Sequence, residues 1–228
     1  MTSVIAIANI AGGTQKTTAA HSLSVATVEY GKKVLLIDLD PRAELTFNLG
    51  FERSRETIVE MLQGSSLAQS NDITTDERFD FIGADSRLAS INGVDTLATF
   101  LRALPDKYDV IVIDTPSQID SRTSMAFNAA DCIVIPSDKS VHSIRGALNT
   151  SKIESKATKF VLPIDQFSTE HSLLFSEAIV LDALIPVNRD IDAAIAQKRS
   201  VLSTDKNSEF AQAYREASYS LLEHLKFF

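Results

Sequence analysis

Cysteine and tryptophan are nearly absent from this sequence. Among its 228 residues there is one cysteine, Cys132, and no tryptophan, and aromatic residues make up only 7%. One cysteine cannot form a disulfide within the chain or hold an iron–sulfur cluster by itself, which argues against a disulfide scaffold and against iron-protein electron transfer. We expect an aliphatic core, with Cys132 buried in the apolar run DCIVIP as a small hydrophobic residue.

Long apolar runs are also lacking. None approaches the roughly 20 residues that a membrane-spanning helix needs. The first residues show no charged stretch ahead of an apolar segment and a cleavage site, which is the pattern of an export signal. The sequence therefore predicts a cytoplasmic protein that does not enter a membrane.

An excess of positive charge is the third absence. The net charge is −8, and most of the acidic excess lies in the first half of the chain. This excludes a generally basic nucleic-acid binder, so any contact with DNA must come from a local patch, more readily in the second half. The 44% hydrophobic content suffices for one large domain, which we predict over residues 1–228.

The most informative stretch is Val4–Thr18, which reads VIAIANIAGGTQKTT and is followed at once by a helical stretch, Ala19–Glu29. A strand, a glycine-rich turn, Lys-Thr and a helix form the order that a phosphate-binding loop needs. Glycines let the backbone turn its N–H groups toward an anion, and the helix N-terminus adds to that field. The predicted nucleotide-binding residues are Gly12, Gly13, Thr14, Gln15, Lys16, Thr17 and Thr18.

Within this loop, Lys16 is expected to reach the terminal phosphates and Thr17 to complete the shell of a magnesium ion. The strict pattern G-x-x-x-x-G-K-[ST] is not met, because Ile10 and Gln15 stand where its two glycines belong.

Beyond the loop, strand-like and helix-like stretches alternate along the chain. Strands are predicted at Val4–Ala8, Lys33–Asp38, Phe79–Gly83, Asp109–Asp114, Asp131–Pro136 and Lys159–Ile164. Helices are predicted at Ala19–Glu29, Arg42–Leu49, Thr57–Leu62, Asn92–Leu104, Val141–Ala157, Glu170–Leu184 and Phe210–Leu225, with a polar loop at Ser65–Arg78. This alternation predicts an α/β fold, a doubly wound, mostly parallel sheet with helices on both faces.

Acidic residues stand at the ends of two predicted strands. Asp38 ends one of them, with Asp40 two residues later, and Asp114 ends another. Ligands of doubly wound sheets bind beyond the carboxyl ends of the strands, where the glycine loop also lies. A single aspartate in such a place is often the cap of the next helix. Two strands that end this way beside a glycine loop favour one phosphate–magnesium site.

Three motifs in order, GG-x-x-K-T-T, LLIDLDP at Leu35–Pro41 and VIVIDTP at Val110–Pro116, resemble the ParA/MinD family of deviant Walker A ATPases. The similarity extends through Pro136–Leu148, Ile185–Arg189 and Ser208–Leu222, and so covers nearly the whole chain. Within the family, the chain is most similar to the ParA-type ATPases of DNA partition.

The resemblance implies a P-loop fold that binds ATP or ADP with Mg²⁺. It implies that Asp114 holds the magnesium shell through water and that Asp40 orients the attacking water. Asp38 is then either a further residue on the metal side or a support of the loop. Asn188 and Arg189 resemble the adenine-side contacts of the family, with an ordinary turn as the alternative. The guanine-reading pattern Asn-Lys-x-Asp is absent, which favours adenine.

One position departs from the family, which has a lysine where this chain has Ala11. In the family, that lysine reaches the phosphates of the partner subunit in a dimer with ATP between the subunits. Of the catalytic positions, the resemblance therefore supplies Lys16 and Asp40 but no cation at Ala11. It implies a chain that binds ATP, hydrolyses it poorly and dimerises weakly, with a monomer as the alternative. The sequence does not separate a deliberate substitution from a natural one.

The leading functional interpretation is a ParA-type partition ATPase. By resemblance, its ATP-bound homodimer coats DNA non-specifically in the nucleoid, and a ParB-like partner stimulates hydrolysis. Lys152, Lys156 and Lys159 are spaced to share one helix face that extends just past the helix end. The candidate DNA contacts, each with a solvated surface as the alternative, are Lys152, Lys156, Lys159, Lys198, Arg199 and Arg215.

Two other functions stay open. A MinD-like membrane-cycling ATPase needs a basic amphipathic tail, but Leu221–Phe228 reads LLEHLKFF, which fits packing onto the core better. We therefore expect no membrane partner. A scaffold that uses its nucleotide only as a switch, without hydrolysis, is the third interpretation, and Ala11 is compatible with it.

Overall fold

A computed structural model describes residues 2–54, 56–65 and 73–228. Within these residues seven strands form one sheet in the order β3-β2-β4-β1-β5-β6-β7, and all neighbouring strands are parallel. The strands are β1 (Ser3–Ile7), β2 (Val34–Asp38), β3 (Asp80–Ile82), β4 (Val110–Asp114), β5 (Cys132–Ser137), β6 (Thr158–Pro163) and β7 (Ile179–Val180).

Helices connect these strands, and a 3-10 helix lies at Ser86–Ser90. The α-helices are α1 (Lys16–Glu29), α2 (Glu44–Leu49), α3 (Ile58–Leu62), α4 (Thr96–Ala103), α5 (Ser121–Ala129), α6 (Val141–Ser151), α7 (Thr169–Ser172), α8 (Ile191–Ala196), α9 (Val201–Thr204) and α10 (Glu209–His224).

The core has two layers, one on each face of the sheet. Val110 and Val112 of β4 pack on the side of α1 and α10, whereas Ile111 and Ile113 pack on the side of α4 and α5. Side chains of a strand alternate between the two faces, so a strand covered on both sides must be apolar throughout. The predicted doubly wound α/β fold, with helices on both faces of a parallel sheet, is confirmed.

The six predicted strands are present within one or two residues of their expected bounds. Gly31, two residues after the end of α1, and Gly50, directly after α2, have φ values of 78° and 80°, which is the left-handed conformation that ends a helix at glycine. Two helices are shorter than predicted by more than two residues. The helix predicted over Val141–Ala157 ends at Ser151, and the one predicted over Asn92–Leu104 begins at Thr96, which leaves Val94 exposed.

The prediction of a helix over Glu170–Leu184 is wrong. The segment forms the single helical turn α7 and then the edge strand β7, which pairs with β6. Burial alternates after β7, since Leu181, Ala183 and Ile185 are buried while Asp182 and Leu184 are exposed. Burial at every second residue is the pattern of an extended chain. The helical prediction was wrong because it assigned these apolar residues a helical period instead.

Helices α5, α8 and α9 were not predicted, since their short segments carry no strong apolar stripe. The predicted polar loop Ser65–Arg78 lies partly outside the described residues, which end at 65 and resume at 73. In the described part, no helix is long and apolar enough to cross a membrane.

The topology brings the predicted site residues together. In the strand register Asp38 of β2 is opposite Asp114 of β4, and Ile7 of β1 is also opposite Asp114. The three central strands therefore end at the same level, and the loop between β1 and α1 starts from that edge.

Candidate active site

The loop before α1 leads into a helix N-terminus that no side chain of the described residues caps. Gln15 is the N-cap residue and makes no side-chain cap hydrogen bond, and the first turn of α1 contains no acidic residue. Gly13 and Gln15 both have positive φ, 71° and 61°, a conformation that is strained for glutamine but free for glycine. This arrangement leaves the helix N-terminus open to an anion.

Lys16 lies across this loop. Its ammonium Nζ donates to the carbonyl of Ala11 at 3.0 Å and to Oγ of Ser117 at 2.6 Å, and the residue is buried. Burial lowers the pKa of Lys16, while the nearby Asp114 raises it. A buried cation that is held only by a carbonyl and a hydroxyl is well suited to an incoming anion.

Asp114 is the buried carboxylate of the site. Its Oδ2 accepts a hydrogen bond from Oγ1 of Thr17 at 2.8 Å, and within the described structure its buried Oδ1 has no partner. Burial, together with the neighbouring Asp38, raises the pKa of Asp114 well above its ordinary value.

A divalent cation beside Oδ1 would satisfy that oxygen, and Thr17 and Asp114 supply the oxygen ligands that Mg²⁺ prefers. In the residues described, no group of three or more His, Cys, Asp or Glu could bind a metal. The donor set therefore fits a magnesium ion that takes its other ligands from phosphate and water.

Both carboxylate oxygens of Asp38 accept hydrogen bonds from the chain itself. Its Oδ1 accepts the N–H of Asp40 at 3.0 Å, and its Oδ2 accepts both the N–H and Oγ1 of Thr46, at 3.0 and 2.7 Å. Burial raises the pKa of Asp38 to about 6. These contacts favour the loop-supporting role over the metal-side role among the two that the sequence left open.

Asp40, expected to orient water, is paired with Arg42. Nε and Nη2 of Arg42 lie 3.1 and 2.8 Å from Oδ2 of Asp40. Arg42 and Ser117 were not predicted, although each stands one residue after a proline that closes a predicted motif. Both line a cavity of about 260 Å³ together with Gly13–Thr18, Asp40, Glu44 and Thr115.

Ala11 is buried against helix α6 rather than exposed at the mouth of the loop. A Cβ added at Gly146 of α6 would lie 2.5 Å from Cβ of Ala11, so α6 approaches the loop this closely only with glycine at position 146. Asn9 fixes the approach, since its side chain accepts the N–H of Ala11 at 2.9 Å and donates to the carbonyl of Pro136 at 2.8 Å.

Comparison with known proteins agrees with this geometry. The family described as an AAA domain matches residues 2–161. The sporulation initiation inhibitor protein Soj of Bacillus subtilis is 29% identical, over 94% of this chain and 96% of its own. The chromosome partitioning protein ParA of Caulobacter vibrioides is 28% identical, over 92% and 90%. The chain belongs to the ParA/MinD family of ATPases.

Solved structures support the same fold for this ParA/MinD-family protein. Cobyrinic acid a,c-diamide synthase from Mycobacterium smegmatis, with bound ADP and magnesium, has a TM-score of 0.76 and 28% identity, covering 99% of this chain and 96% of that one. The septum site-determining protein MinD of Pyrococcus horikoshii, complexed with Mg-ADP, has a TM-score of 0.80 at 22% identity, covering 97% and 96%, which shows the fold alone.

The predicted adenine-side residues of this family member lie away from the loop cavity. Oδ1 of Asn188 accepts the N–H of Asp190 at 2.7 Å just before α8, and Arg189 is exposed. Neither residue lines the cavity of Gly13–Thr18. Adenine contact by these two side chains stays a prediction.

Three of the predicted DNA contacts, Lys152, Lys156 and Lys159, do not share one helix face, because α6 ends at Ser151. Nζ of Lys159, on β6, donates to the carbonyls of Ser151 and Ile153 at 2.6 Å each and so holds the end of α6. Lys198 donates to the carbonyl of Phe47 at 2.8 Å, and Arg215 pairs with Glu29 at 2.6 Å. The side chains of Lys152, Lys156 and Arg199 are exposed and have no hydrogen-bond or ion-pair partner within the described chain.

The raised pKa of Asp38 predicts a pH-dependent stability in the absence of magnesium and nucleotide. A carboxyl whose pKa is about 6 when folded and about 3.9 when unfolded stabilises the fold below pH 4, and this contribution is lost as the pH rises through 6. We expect Asp38→Asn to flatten this part of the curve, by about 3 kcal/mol between the two ends. Urea unfolding between about pH 3.5 and 7.5 measures the effect, because the contribution changes between the two pKa values.

The matched control is Asp182→Asn, since Asp182 is exposed. It should follow the wild-type profile. If Asp38→Asn also followed that profile, burial of the Asp38 charge would not be what sets the pH dependence.

Proposed function

We propose that this chain is a ParA-type ATPase that binds ATP with Mg²⁺ in one nucleotide-binding domain over residues 1–228. One observation carries the proposal: the uncapped N-terminus of α1, the buried Lys16 and the unpartnered Oδ1 of Asp114 converge on the same sheet edge. The bound ADP and magnesium in the Mycobacterium smegmatis structure support it. The glycine loop is then a deviant Walker A motif.

The roles follow from the donors that each residue presents. Gly12–Thr18 offer N–H groups and Lys16 a cation to the phosphates, while Thr17 and Asp114 hold the magnesium shell, which neutralises phosphate charge when it is present. Asp40 orients the attacking water. Phosphoryl transfer asks the protein mainly for positioning and charge neutralisation, so this small set suffices.

Removal of the Lys16 cation tests the site directly. We expect Lys16→Ala to weaken the binding of ATP with Mg²⁺ at least about tenfold, because a charge-assisted contact to phosphate is lost. Isothermal titration with ATP and magnesium measures the affinity. Lys206→Ala is the control, since Lys206 is exposed and lies outside the loop cavity. Equal affinities in all three proteins would refute nucleotide binding at this loop.

We infer weak hydrolysis and weak ATP-dependent dimerisation from Ala11. A cation supplied in trans accelerates phosphoryl transfer by roughly 10³–10⁵ in other systems, and alanine offers none. Ala11 itself is buried, with its Cβ next to Gly146 of α6. A switch that binds nucleotide without turnover is therefore the second candidate function.

Ala11→Lys should raise ATP turnover by at least about tenfold and favour a dimer, since it restores the trans cation. Turnover, light scattering with ATP and thermal unfolding are measured together, with Ala11→Ser as the size-matched control. A folded Ala11→Lys protein without any gain would show that the missing lysine does not limit activity.

For cellular function we propose DNA partition or positioning in the cytoplasm, at the nucleoid, with a ParB-like activator and a homodimer formed on ATP. The name of the Caulobacter vibrioides relative, chromosome partitioning protein ParA, supports partition. A membrane-cycling role is not favoured, because Leu221 and Leu222 are buried and Lys32 lies over the rings of Phe227 and Phe228.

The exposed cations Lys152, Lys156 and Arg199 are the proposed DNA contacts with free side chains. We expect ATP-dependent retention of DNA on filters that weakens steeply with salt, because each phosphate contact releases counterions. Joint replacement of Lys152 and Lys156 by alanine should weaken retention at low salt and reduce the salt slope by about two. Lys206→Ala is the control, and absence of any ATP-dependent retention would discard DNA binding.

A further inference from the structure

Arg42 belongs to a local motif that this chain uses repeatedly. In Asp40–Arg42, Asp85–Arg87 and Asp120–Arg122 the aspartate accepts the backbone N–H of the arginine two residues later, at 2.9, 2.8 and 2.9 Å. In each pair the guanidinium also bonds to the same carboxylate. The pairing of Arg42 with Asp40 is therefore a recurrent local motif of this chain, and it does not by itself indicate a function.

The surroundings separate Arg42 from the other two arginines. Arg87 has a second carboxylate, Glu60, at 2.6 Å, and Arg122 also donates to the carbonyl of Ala89 at 3.0 Å. Arg42 instead lines the loop cavity, where its Nη2 lies 3.5 Å from Oγ of Ser117. That hydroxyl is the group that also accepts a hydrogen bond from Lys16.

Two cations thus converge on one hydroxyl at the mouth of the phosphate loop. The charge of Arg42 acts on Lys16, whose pKa it lowers further after the larger effect of burial. The side chain of Arg42 is 62% exposed, so it is free to change partners, whereas Asp40 is buried. A planar guanidinium binds phosphate oxygens with two parallel hydrogen bonds, as it now binds Asp40.

We propose that Arg42 leaves Asp40 to bind the terminal phosphate of ATP within the same chain, and so distinguishes ATP from ADP. The inference rests on the proposed function, since it needs nucleotide in the loop. Transfer of Arg42 to the phosphate frees Asp40 in the same step, so the water-orienting carboxylate becomes available only when a triphosphate is bound. Ala11 offers no cation to a second subunit, and Arg42 provides one from the chain's own loop.

The experiment compares the affinities of ATP and ADP, with magnesium, by competition against a fluorescent ADP analogue. Arg42→Ala should weaken ATP binding about 10- to 100-fold, the effect of losing a charged hydrogen-bonded contact. ADP binding should change by less than about fivefold, as for a screened exposed charge. Arg42→Lys should recover part of the ATP affinity, since it keeps the charge but loses the two-bond geometry.

Arg87→Ala is the matched control, because Arg87 sits in the same kind of turn outside the cavity of Gly13–Thr18 and is similarly exposed, at 57%. It should leave both affinities at the wild-type level. A second test uses Asp40→Asn, which removes the carboxylate that competes for Arg42. ATP should then bind more tightly in Asp40→Asn, and the gain should disappear in Asp40→Asn with Arg42→Ala.

The outcomes separate the two levels of the proposal. Failure of the wild-type protein to bind either nucleotide would overturn the proposed function. Wild-type binding of both nucleotides, with an unchanged ratio of ATP to ADP affinity in a folded Arg42→Ala protein, would overturn the role of Arg42 alone. An equal loss of ATP and ADP affinity would overturn it as well, because ADP lacks the terminal phosphate and so cannot lose a contact to it.

Discussion

The structure depends on how negative charge is tolerated where β2 and β4 end. Asp38 and Asp114 are register partners on these strands, and both are almost fully buried. Buried carboxylates at close quarters disfavour each other's ionised form unless hydrogen bonds or cations compensate. Asp38 is compensated by Thr46 and the backbone of Asp40, whereas within the described residues Asp114 has Thr17 and the nearby charge of Lys16. Two aspartates in equivalent places therefore have different surroundings: Asp38 is bonded into the fold, and Asp114 keeps one oxygen without a partner in the described structure.

The polar groups around Asp114 satisfy one another in a way that an incoming ligand could rearrange. Lys16 bonds to Ser117 and to the carbonyl of Ala11, Thr17 bonds to Asp114, and Arg42 bonds to Asp40. Each of these bonds includes a group that we assign to phosphate, metal or water. Among the described residues, Oδ1 of Asp114 is the one buried side-chain oxygen at this edge of the sheet without a hydrogen-bond partner.

The backbone of the loop is held from the other side by α6. Gly146 lets the helix approach Ala11, Thr150 accepts the N–H of Ile10 at 3.1 Å, and Asn9 donates to the carbonyl of Pro136 in β5. The position that carries a lysine in the resembled family is thus part of a packed contact in this chain.

The sequence alone determined the elements whose signal is local: the apolar strands, the glycine loop followed by Lys16 and Thr17, and the aspartates at two strand ends. Prediction from the sequence failed where the conformation of a segment depends on contacts with residues that are distant in the chain. The segment after Ser172 became a strand because β6 offered an edge, and α6 ended before Lys152 although its composition allowed a longer helix. Only the tertiary structure separated the roles of Asp38 and Asp114, and only it brought Arg42 and Ser117 to Lys16, since a side chain's partners across the sheet depend on strand order and register.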